Sequence, residues 1–221
     1  MKSTACMNVT IVGTGEMARS LGYRLVRAGH SLTLVGRNEA NAQLLARDLR
    51  NLAREGAVVR TGWLGDARLH DRVVLLAIPY ASAAAVIDYL ADQLAGRVVV
   101  DVTNPISATG DARPETLESS GAEQLAQRLP EGAHLVKAFN TIFAATLLTG
   151  QAVGEPLDVF IAGDDRSAKA EVAALARDGG MRPLDAGPLR RARELEGMAL
   201  LALAMQKLHG LGQRSAWKLI R

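Results

Sequence analysis

The chain of 221 residues has 26 lysine and arginine residues against 23 aspartate and glutamate residues, a formal net charge of +3, and 48% hydrophobic residues. This balance is typical of a globular protein with a substantial core, and it excludes disordered and collagen-like chains. The longest apolar run, residues 198–205, is far shorter than the roughly 20 residues that cross a bilayer, so we expect no membrane span.

The N-terminal residues 1–6 lead directly into a strand-like run without the features of a secretory signal, so we expect a cytoplasmic protein. Cys6 is the single cysteine, which leaves neither an internal disulfide nor a cysteine metal cluster. The basic residues are scattered and aromatic residues make up only 4%, so we expect no nucleic-acid partner. The small positive excess suits a small anionic ligand such as a phosphorylated cofactor.

Short apolar runs alternate with helix-length segments along the chain, which is typical of parallel strands joined by crossover helices. The predicted strands are residues 8–12, 31–35, 57–61, 72–78, 97–102, 134–139, 158–162 and 181–185. The predicted helices are residues 16–28, 39–54, 81–94, 122–129, 166–179, 189–209 and 214–220. This order predicts an α/β fold with a Rossmann-type, doubly wound parallel sheet.

We divide the chain into a Rossmann-type domain, residues 1–145, and a smaller C-terminal α/β subdomain, residues 146–221, that closes the cleft between them. Residues 193–208 are apolar on nearly every face of a helix, which predicts a helix that is buried all round. Two explanations stay open for it. It is either a core helix of the subdomain or a dimer interface that also closes over the active site.

The first predicted strand runs directly into Gly13-Thr14-Gly15-Glu16-Met17-Ala18, which matches the G-x-G-x-x-G/A fingerprint of dinucleotide-binding folds. Gly13 permits the tight turn, Gly15 lets the backbone approach a pyrophosphate, and Ala18 lets the helix pack closely on the sheet. The helix N-terminus offers amide groups and a positive dipole end to the phosphates. The pattern predicts a nucleotide site that includes Gly13, Thr14, Gly15, Glu16 and Met17.

The end of the second strand indicates which nucleotide is bound. A site selective for NAD normally has an acidic residue there for the ribose 2′-hydroxyl, whereas this chain has Gly36-Arg37-Asn38. The guanidinium of Arg37 matches the oxygens of a 2′-phosphate, so we predict NADP, with Asn38 and Asn41 beside it.

Later strand ends should line the nicotinamide half of the cleft, because ligands of open parallel sheets lie beyond the carboxyl ends of the strands. Asn140 and Thr141 have side chains that can donate hydrogen bonds toward a bound ring or carboxamide. The candidate cofactor-binding residues at these ends are Ala77, Ile78, Pro79, Asn104, Ala138, Phe139, Asn140 and Thr141.

Taken together, these segments resemble the NADPH-dependent reductases of the deazaflavin coenzyme F420, and also the cytosolic oxidoreductase domain of the six-transmembrane metalloreductases. The resemblance covers almost the whole chain. It is carried by Gly13-Thr14-Gly15, Gly36-Arg37-Asn38, Val136-Lys137-Ala138-Phe139-Asn140-Thr141, Ala162-Gly163-Asp164-Asp165, Leu184-Asp185-Ala186-Gly187-Pro188-Leu189 with Arg193 and Glu196, and Leu208-His209-Gly210-Leu211-Gly212.

The resemblance implies direct hydride transfer between nicotinamide C4 and the facing ring of a flavin-like acceptor, with Thr14 and Arg37 near the 2′-phosphate. Coenzyme F420 is the first candidate for that acceptor. The family often has serine where this chain has Gly36, which removes a hydroxyl contact and blunts the preference for NADP. The candidate acceptor-binding residues are Ile142, Phe143, His209, Gly210, Leu211 and Gly212.

Hydride transfer between stacked rings depends on proximity and orientation, so no catalytic residue is compulsory and we assign none. The four histidines show no ligand spacing, and we expect no metal site. Alternatives stay open: an imine or pyrroline-carboxylate reductase, a flavin or metal reductase, and a non-catalytic NADPH-binding protein. The imine-reductase alternative needs a long all-helical C-terminal domain where we predict strands. We expect a homodimer.

Overall fold

The computed structural model describes residues 6–106 and 119–220. Its main feature is an eight-stranded sheet. The strands of this sheet are β1 (Asn8–Val12), β2 (Ser31–Gly36), β3 (Val59–Trp63), β4 (Val73–Leu76), β5 (Val98–Asp101), β6 (His134–Lys137), β9 (Asp158–Gly163) and β10 (Arg182–Gly187). Their order across the sheet is β10-β9-β6-β5-β4-β1-β2-β3. Two further strands, β7 (Gln151–Ala152) and β8 (Glu155–Pro156), form a separate hairpin. The predicted α/β class and Rossmann-like architecture are confirmed.

Helices cover both faces of the sheet, as expected for crossover connections between parallel strands. They are α1 (Glu16–Ala28), α2 (Glu39–Arg50), α3 (Tyr80–Leu94), α4 (Gly121–Ala126), α5 (Ala144–Thr149), α6 (Arg166–Asp178) and α7 (Ala192–His209), with a single 3₁₀ turn at Leu189–Arg191 before α7. Two apolar clusters fill the two faces. One contains Val9 and Ile11 of β1, and the other contains Val12 and the α3 residues Ile87 and Leu90.

The chain reverses its direction across the sheet at β1. It proceeds from β1 outward to β2 and β3, and then returns to place β4 on the other side of β1, parallel to it. In open α/β sheets a crevice forms at such a reversal, beyond the carboxyl ends of the two strands. The cofactor site is therefore expected above β1 and β4.

Several details differ from the sequence prediction. The third strand is Val59–Trp63 rather than 57–61, and the second helix ends at Arg50 rather than at residue 54. The sixth strand ends at Lys137, because Phe139 has a φ of 63°, which no strand accommodates. Short α5 and the β7-β8 hairpin were not predicted, since neither has enough residues to show a periodic pattern. The sheet is also not wholly parallel, because β9 is antiparallel to β6.

The predicted helix over residues 214–220 is wrong. This segment is an extended strap whose backbone and side chains bond to the rest of the protein: the Trp217 indole donates to the Met198 carbonyl oxygen, and the Leu219 amide donates to Asp158. A seven-residue helix is marginal on its own, so these tertiary hydrogen bonds decide the conformation.

The expectation that α7 is buried all round is also wrong for the single chain. Its N-terminal half is buried through Leu195 and Ala199, but Leu201 is 52% exposed and Leu208 is 77% exposed. One apolar face of α7 therefore lies on the surface. Over the described residues, no helix combines the length and the apolar character needed to span a membrane.

Candidate functional site

A cavity of about 470 Å³ lies beyond the carboxyl ends of β1, β2 and β4, where the sheet topology places a ligand. Its volume falls in the usual range of small-molecule sites. Ten of the predicted cofactor residues line it: Gly13, Thr14, Gly15, Gly36, Arg37, Asn38, Asn41, Ala77, Ile78 and Pro79.

The turn after β1 is shaped by close backbone contacts. Gly13 has a φ of 123°, and a Cβ built on it would lie 2.1 Å from the Ala77 carbonyl oxygen. The Gly13 amide also donates to the Val35 carbonyl oxygen at 2.8 Å, which ties the turn to β2. Only glycine fits this position, because the left-handed backbone and the neighbouring carbonyl both exclude a side chain.

Gly15 differs from Gly13 in a way that bears on ligand binding. Its φ is −82°, which any residue adopts, and a Cβ built on it meets no heavy atom within 4 Å. The protein itself therefore does not require glycine here. The open space is the cradle through which the backbone can approach a pyrophosphate, so the residues present fit a dinucleotide.

The N-terminus of α1 is available to an anion. Gly15 is its N-cap and offers no side-chain cap, so the first amide groups of the helix have no side-chain acceptor at this position. These amides and the positive end of the helix dipole favour a phosphate beside Gly15. Glu16 and Met17 follow within the helix and do not line the cavity.

The end of β2 presents a basic group to the same cavity. Arg37 is exposed and makes no hydrogen bond or ion pair with any residue in the described part of the chain. The Asn38 side chain caps α2 by accepting from the Asn41 amide at 3.2 Å. A Cβ built on Gly36 would lie 2.8 Å from Cγ2 of Thr14, so the threonine methyl occupies the space that a residue 36 side chain would take.

Five residues that line the cavity were missed by sequence reasoning: Val12 and Val35 at the ends of β1 and β2, and Leu64, Ser82 and Val86. Leu64 directly follows β3, and Ser82 and Val86 lie one turn apart on α3. The signal for the α3 pair was their i, i+4 spacing on the helix that follows Pro79, which places both on one face. The sequence gives no comparable signal for Leu64, because the position of Leu64 in the cavity wall depends on where β3 ends.

The ends of β5 and β6 meet through two asparagines. The Asn140 side chain donates to Oδ1 of Asn104 at 2.9 Å and to the Leu195 carbonyl oxygen at 3.1 Å, and Asn104 donates back to the Asn140 carbonyl oxygen. Both amide hydrogens of Asn140 are thus used within the protein. Its Oδ1 is buried and accepts no hydrogen bond from the described residues. Ala138, Phe139 and Thr141 are likewise buried beside it.

A buried ion cluster lies next to these asparagines. The Lys137 ammonium donates to Asp101 at 2.8 Å, to Glu196 at 2.9 Å and to the Thr103 carbonyl oxygen at 2.7 Å, and its side chain is fully buried. Burial alone would lower the pKa of Lys137, but the charges and hydrogen bonds of Asp101 and Glu196 raise it above its ordinary value. The Lys137 ammonium is therefore charged at neutral pH.

Glu196 also links α7 to α4. Its two carboxylate oxygens accept from the Gly121 and Ala122 amides at 3.0 Å each. These are first-turn amides of α4, where a carboxylate is favourable. Burial and the negative charges of Glu196 and Asp101 raise the pKa of nearby Tyr80, whose hydroxyl donates to Gln124.

The two later motifs of the resemblance, residues 162–165 and 184–189, have structural roles. Oδ1 of Asp164 accepts from the Leu189 amide at 2.9 Å, and Asp165 caps α6 by accepting from the Ala168 amide. The Lys169 ammonium donates to Asp185 at 2.7 Å. In the structure these residues anchor helices and turns around β9 and β10.

A second, smaller cavity of about 90 Å³ lies among Thr141, Phe143, α7 and the terminal strap. Phe143 and Leu211 of the predicted acceptor residues line it, together with Met205 and Trp217, which were not predicted. Ile142 instead belongs to the core and is 5% exposed.

The remaining predicted acceptor residues lie where α7 ends. His209 is exposed, Gly210 caps the helix with a φ of 60°, and Gly212 has a φ of 61°. A Cβ built on either glycine meets no heavy atom within 4 Å. Their backbone conformation, rather than crowding, therefore favours glycine at these two positions. Within residues 6–106 and 119–220, no group of three or more His, Cys, Asp or Glu side chains is placed to hold a metal ion.

Comparison with known proteins identifies the family and the fold. The family model of NADP oxidoreductase, coenzyme F420-dependent, matches residues 8–105. A solved structure of a proposed F420-dependent NADP reductase from Arthrobacter sp. FB24 superposes with a TM-score of 0.80 at 28% identity, covering 97% of this chain and 100% of that one. The imine reductase of Streptomyces aurantiacus has a TM-score of 0.63, but at 18% identity this likeness concerns the fold alone.

Two curated relatives differ in how much of their length is matched. Metalloreductase STEAP3 of Rattus norvegicus is 36% identical over 90% of this chain, but the chain spans only 38% of that relative. The F420-dependent NADP reductase of Methanothermobacter thermautotrophicus is 30% identical, with 89% of this chain and 88% of the relative aligned. Because this second match extends over nearly the full length of both proteins, the chain belongs to the family of coenzyme F420-dependent NADP oxidoreductases.

Proposed function

We propose that the protein transfers a hydride between NADP(H) and a flavin-like acceptor, with coenzyme F420 as the first candidate. The observation that carries the cofactor assignment is the pair of features around the main cavity. Gly15 leaves an open cradle at an uncapped helix N-terminus, and Arg37 stands at the end of β2 without a partner among the described residues.

Bound NADPH would supply the hydride, from C4 of its nicotinamide. The chain's own residues bind and orient: the α1 amides hold the pyrophosphate, and the Arg37 guanidinium pairs with the 2′-phosphate. The wall formed by Leu64, Ile78 and Val86 offers an apolar surface to the adenine half. Asn104 and Asn140 follow β5 and β6, the next two strands beyond β4 in the sheet, so in this proposal they border the nicotinamide half.

The smaller cavity marks the acceptor side in this proposal. Its Phe143, Leu211, Met205 and Trp217 side chains are apolar and would exclude water from the reacting rings. A volume of about 90 Å³ holds only the edge of a tricyclic ring, so the ring would lie across the cavity mouth. The Gly210 and Gly212 turn would then border the ring, and His209 would donate a proton to the reduced acceptor.

The assignment is tested first by binding. Isothermal titration of the purified protein with NADPH and NADH should give an affinity for NADPH that is several-fold higher. Equal affinities, or no binding of either, would overturn the cofactor assignment.

The acceptor is tested by activity. NADPH oxidation followed at 340 nm with F420, FMN or a cyclic imine should proceed with F420 and slowly or not at all with the imine. Turnover with the imine alone would assign the protein to imine reduction. Binding without turnover on any acceptor would leave a non-catalytic NADPH-binding protein.

We also propose a homodimer in which the exposed face of α7 is covered by a second copy. Leu201, Met205 and Leu208 form this face, and such apolar side chains are commonly buried between subunits. Residues 146–221 would close the cleft as a subdomain, although the sheet continues from β6 into β9 without a break. Light scattering should give twice the monomer mass, and Leu201→Glu with Leu208→Glu should give the monomer.

A further inference from the structure

Lys137 is a buried charge that the proposed hydride transfer does not use directly. A fully buried ammonium is costly unless every hydrogen finds an acceptor, and this one finds three. Its acceptors come from three separate segments: Asp101 at the end of β5, the Thr103 carbonyl oxygen just beyond it, and Glu196 on α7.

Two of these segments, the one beyond β5 and α7, also hold the side chain of Asn140. Its two hydrogen-bond acceptors are Asn104 and Leu195. Asn104 follows Thr103 in the chain and Leu195 precedes Glu196, so each acceptor of Asn140 is the neighbour of a group bound to the Lys137 ammonium. Loss of the ammonium would release both supports of Asn140 at once.

We infer that Lys137 is a positioning residue for the nicotinamide end of the site, acting through the Thr103-Asn104 segment and through α7. The inference rests on the proposed binding of NADP with its nicotinamide beyond β5 and β6. Lys137 itself touches no substrate, because its three hydrogens are taken and its side chain is fully buried.

The charges around Lys137 predict that loss of its ammonium makes binding at the nicotinamide end depend on pH. Asp101 and Glu196 face the ammonium directly, and Tyr80 of α3 lies farther out, with its hydroxyl donating to Gln124. In the Lys137→Met variant the two carboxylates face each other without a cation, so one of them takes up a proton at low pH. At high pH both ionise and repel, which drives α7 away from the β5 end.

The test compares the binding of two ligands that contain different parts of the cofactor. Adenosine 2′,5′-bisphosphate contains the adenine half of NADP and ends before the nicotinamide, whereas NADP⁺ occupies both halves. Calorimetry gives the ratio of their affinities, which reports on the nicotinamide mononucleotide half of the cofactor. The wild-type ratio should stay constant between about pH 7.5 and pH 9, which lies above the second ionisation of the ligands' phosphates near pH 6, because Lys137 stays protonated across this range.

For Lys137→Met the ratio should fall with rising pH, by roughly fivefold or more, while binding of adenosine 2′,5′-bisphosphate stays as in the wild type. The turnover number should drop about 10- to 100-fold, the usual cost of a small misplacement of reacting groups. Lys137→Met with Glu196→Gln removes the repulsion, so it should restore a constant ratio. A merely structural role would lower thermal stability in both variants without this pH dependence.

If Lys137→Met does not fold, Glu196→Ala serves instead, because it frees α7 while Lys137 keeps Asp101 and the Thr103 carbonyl oxygen. It should lower the affinity ratio without a pH dependence. A wild-type ratio in whichever of the two variants folds would overturn the inference. Failure of the wild-type protein to bind either ligand would instead overturn the proposed function, so the two failures are distinguishable.

Discussion

Gly13 lies so close to Ala77 that any side chain on it would strike the Ala77 carbonyl oxygen, with a Cβ only 2.1 Å away. This contact joins the ends of β1 and β4, the two strands at which the chain reverses its direction across the sheet. The crevice for a dinucleotide thus depends on a packing requirement of the protein itself. Gly15, two residues later, has no such requirement.

The two glycines therefore predict opposite outcomes on substitution. Gly15→Val should fold normally, because its Cβ meets open space and its backbone is unstrained, but it should lose measurable NADPH binding. Gly13→Ala is the matched comparison and should destabilise the fold by several kcal/mol through strain and the clash with Ala77. Melting curves and calorimetry separate the two effects. A folded Gly15→Val protein with unchanged NADPH affinity would show that the phosphates bind elsewhere.

Arg37 should determine the preference for NADPH. Arg37→Ala removes charge-assisted hydrogen bonds to the 2′-phosphate, so NADPH affinity should fall about 10- to 100-fold while NADH affinity changes little. Arg47→Ala is a suitable control, since Arg47 is exposed near the other end of α2. Equal losses for the two cofactors in Arg37→Ala would contradict the assignment.

Gly36 and Thr14 should act together. Gly36→Ser adds a hydroxyl that could reach the 2′-phosphate, but its Cβ would lie 2.8 Å from the Thr14 methyl carbon. The single variant should therefore gain little NADPH affinity. Adding Thr14→Ser removes the methyl group, and the double variant should bind NADPH several-fold more tightly than the wild type. Calorimetric titration of the wild type, the two single variants and the double variant shows whether the two substitutions affect NADPH affinity independently. Additive effects on the binding free energy would argue against the steric explanation.

Asp158 should make the terminal strap sensitive to acid. Burial raises the pKa of Asp158, but hydrogen bonds from Arg182 and the Leu219 amide and the charge of Lys218 lower it below its ordinary value overall. A carboxyl group whose pKa is lowered in the folded state stabilises above its unfolded pKa, and this stabilisation disappears as the pH falls through the folded pKa.

Asp158→Asn should thus cost about 2 kcal/mol of unfolding free energy at pH 7, and the difference from the wild type should shrink below about pH 4. Asp48→Asn is the control, because its pair with Arg19 is exposed and should contribute below ~1 kcal/mol. Urea titrations at several pH values measure both. A difference that stays constant down to pH 3 would contradict the role assigned to the carboxylate.

Much of the fold was predictable because its signals are local. The β1 strand, the glycine turn and α1 lie within one short stretch, and alternating apolar runs mark the other main strands. Arg37 was recognisable for the same reason, since it directly follows a predicted strand. The antiparallel orientation of β9 relative to β6 was not predictable. That orientation depends on the connection between the two strands, which consists of the short α5 and the β7-β8 hairpin and has no periodic sequence pattern.

The buried cluster shows what sequence reasoning could not reach. Lys137 was recognised only as part of a motif, and its partners Asp101 and Glu196 lie 36 and 59 residues away in the chain. Similarly, the sequence predicts that the Asn140 side chain can donate toward a bound ligand, whereas Asn104 and Leu195 accept both of its amide hydrogens. Such contacts follow from the packing of α7 on the strand ends, which no single segment encodes.

The most direct measurement of the central claim is transfer of deuterium from NADPH labelled at C4 of the nicotinamide to coenzyme F420. Both diastereomers of the labelled cofactor should be used, with the reduced acceptor analysed by mass spectrometry. Direct transfer between facing rings predicts one deuterium on a ring carbon of the reduced acceptor, from one diastereomer only. Reduction of F420 without deuterium, or no reduction of F420 while an imine is reduced, would contradict the account.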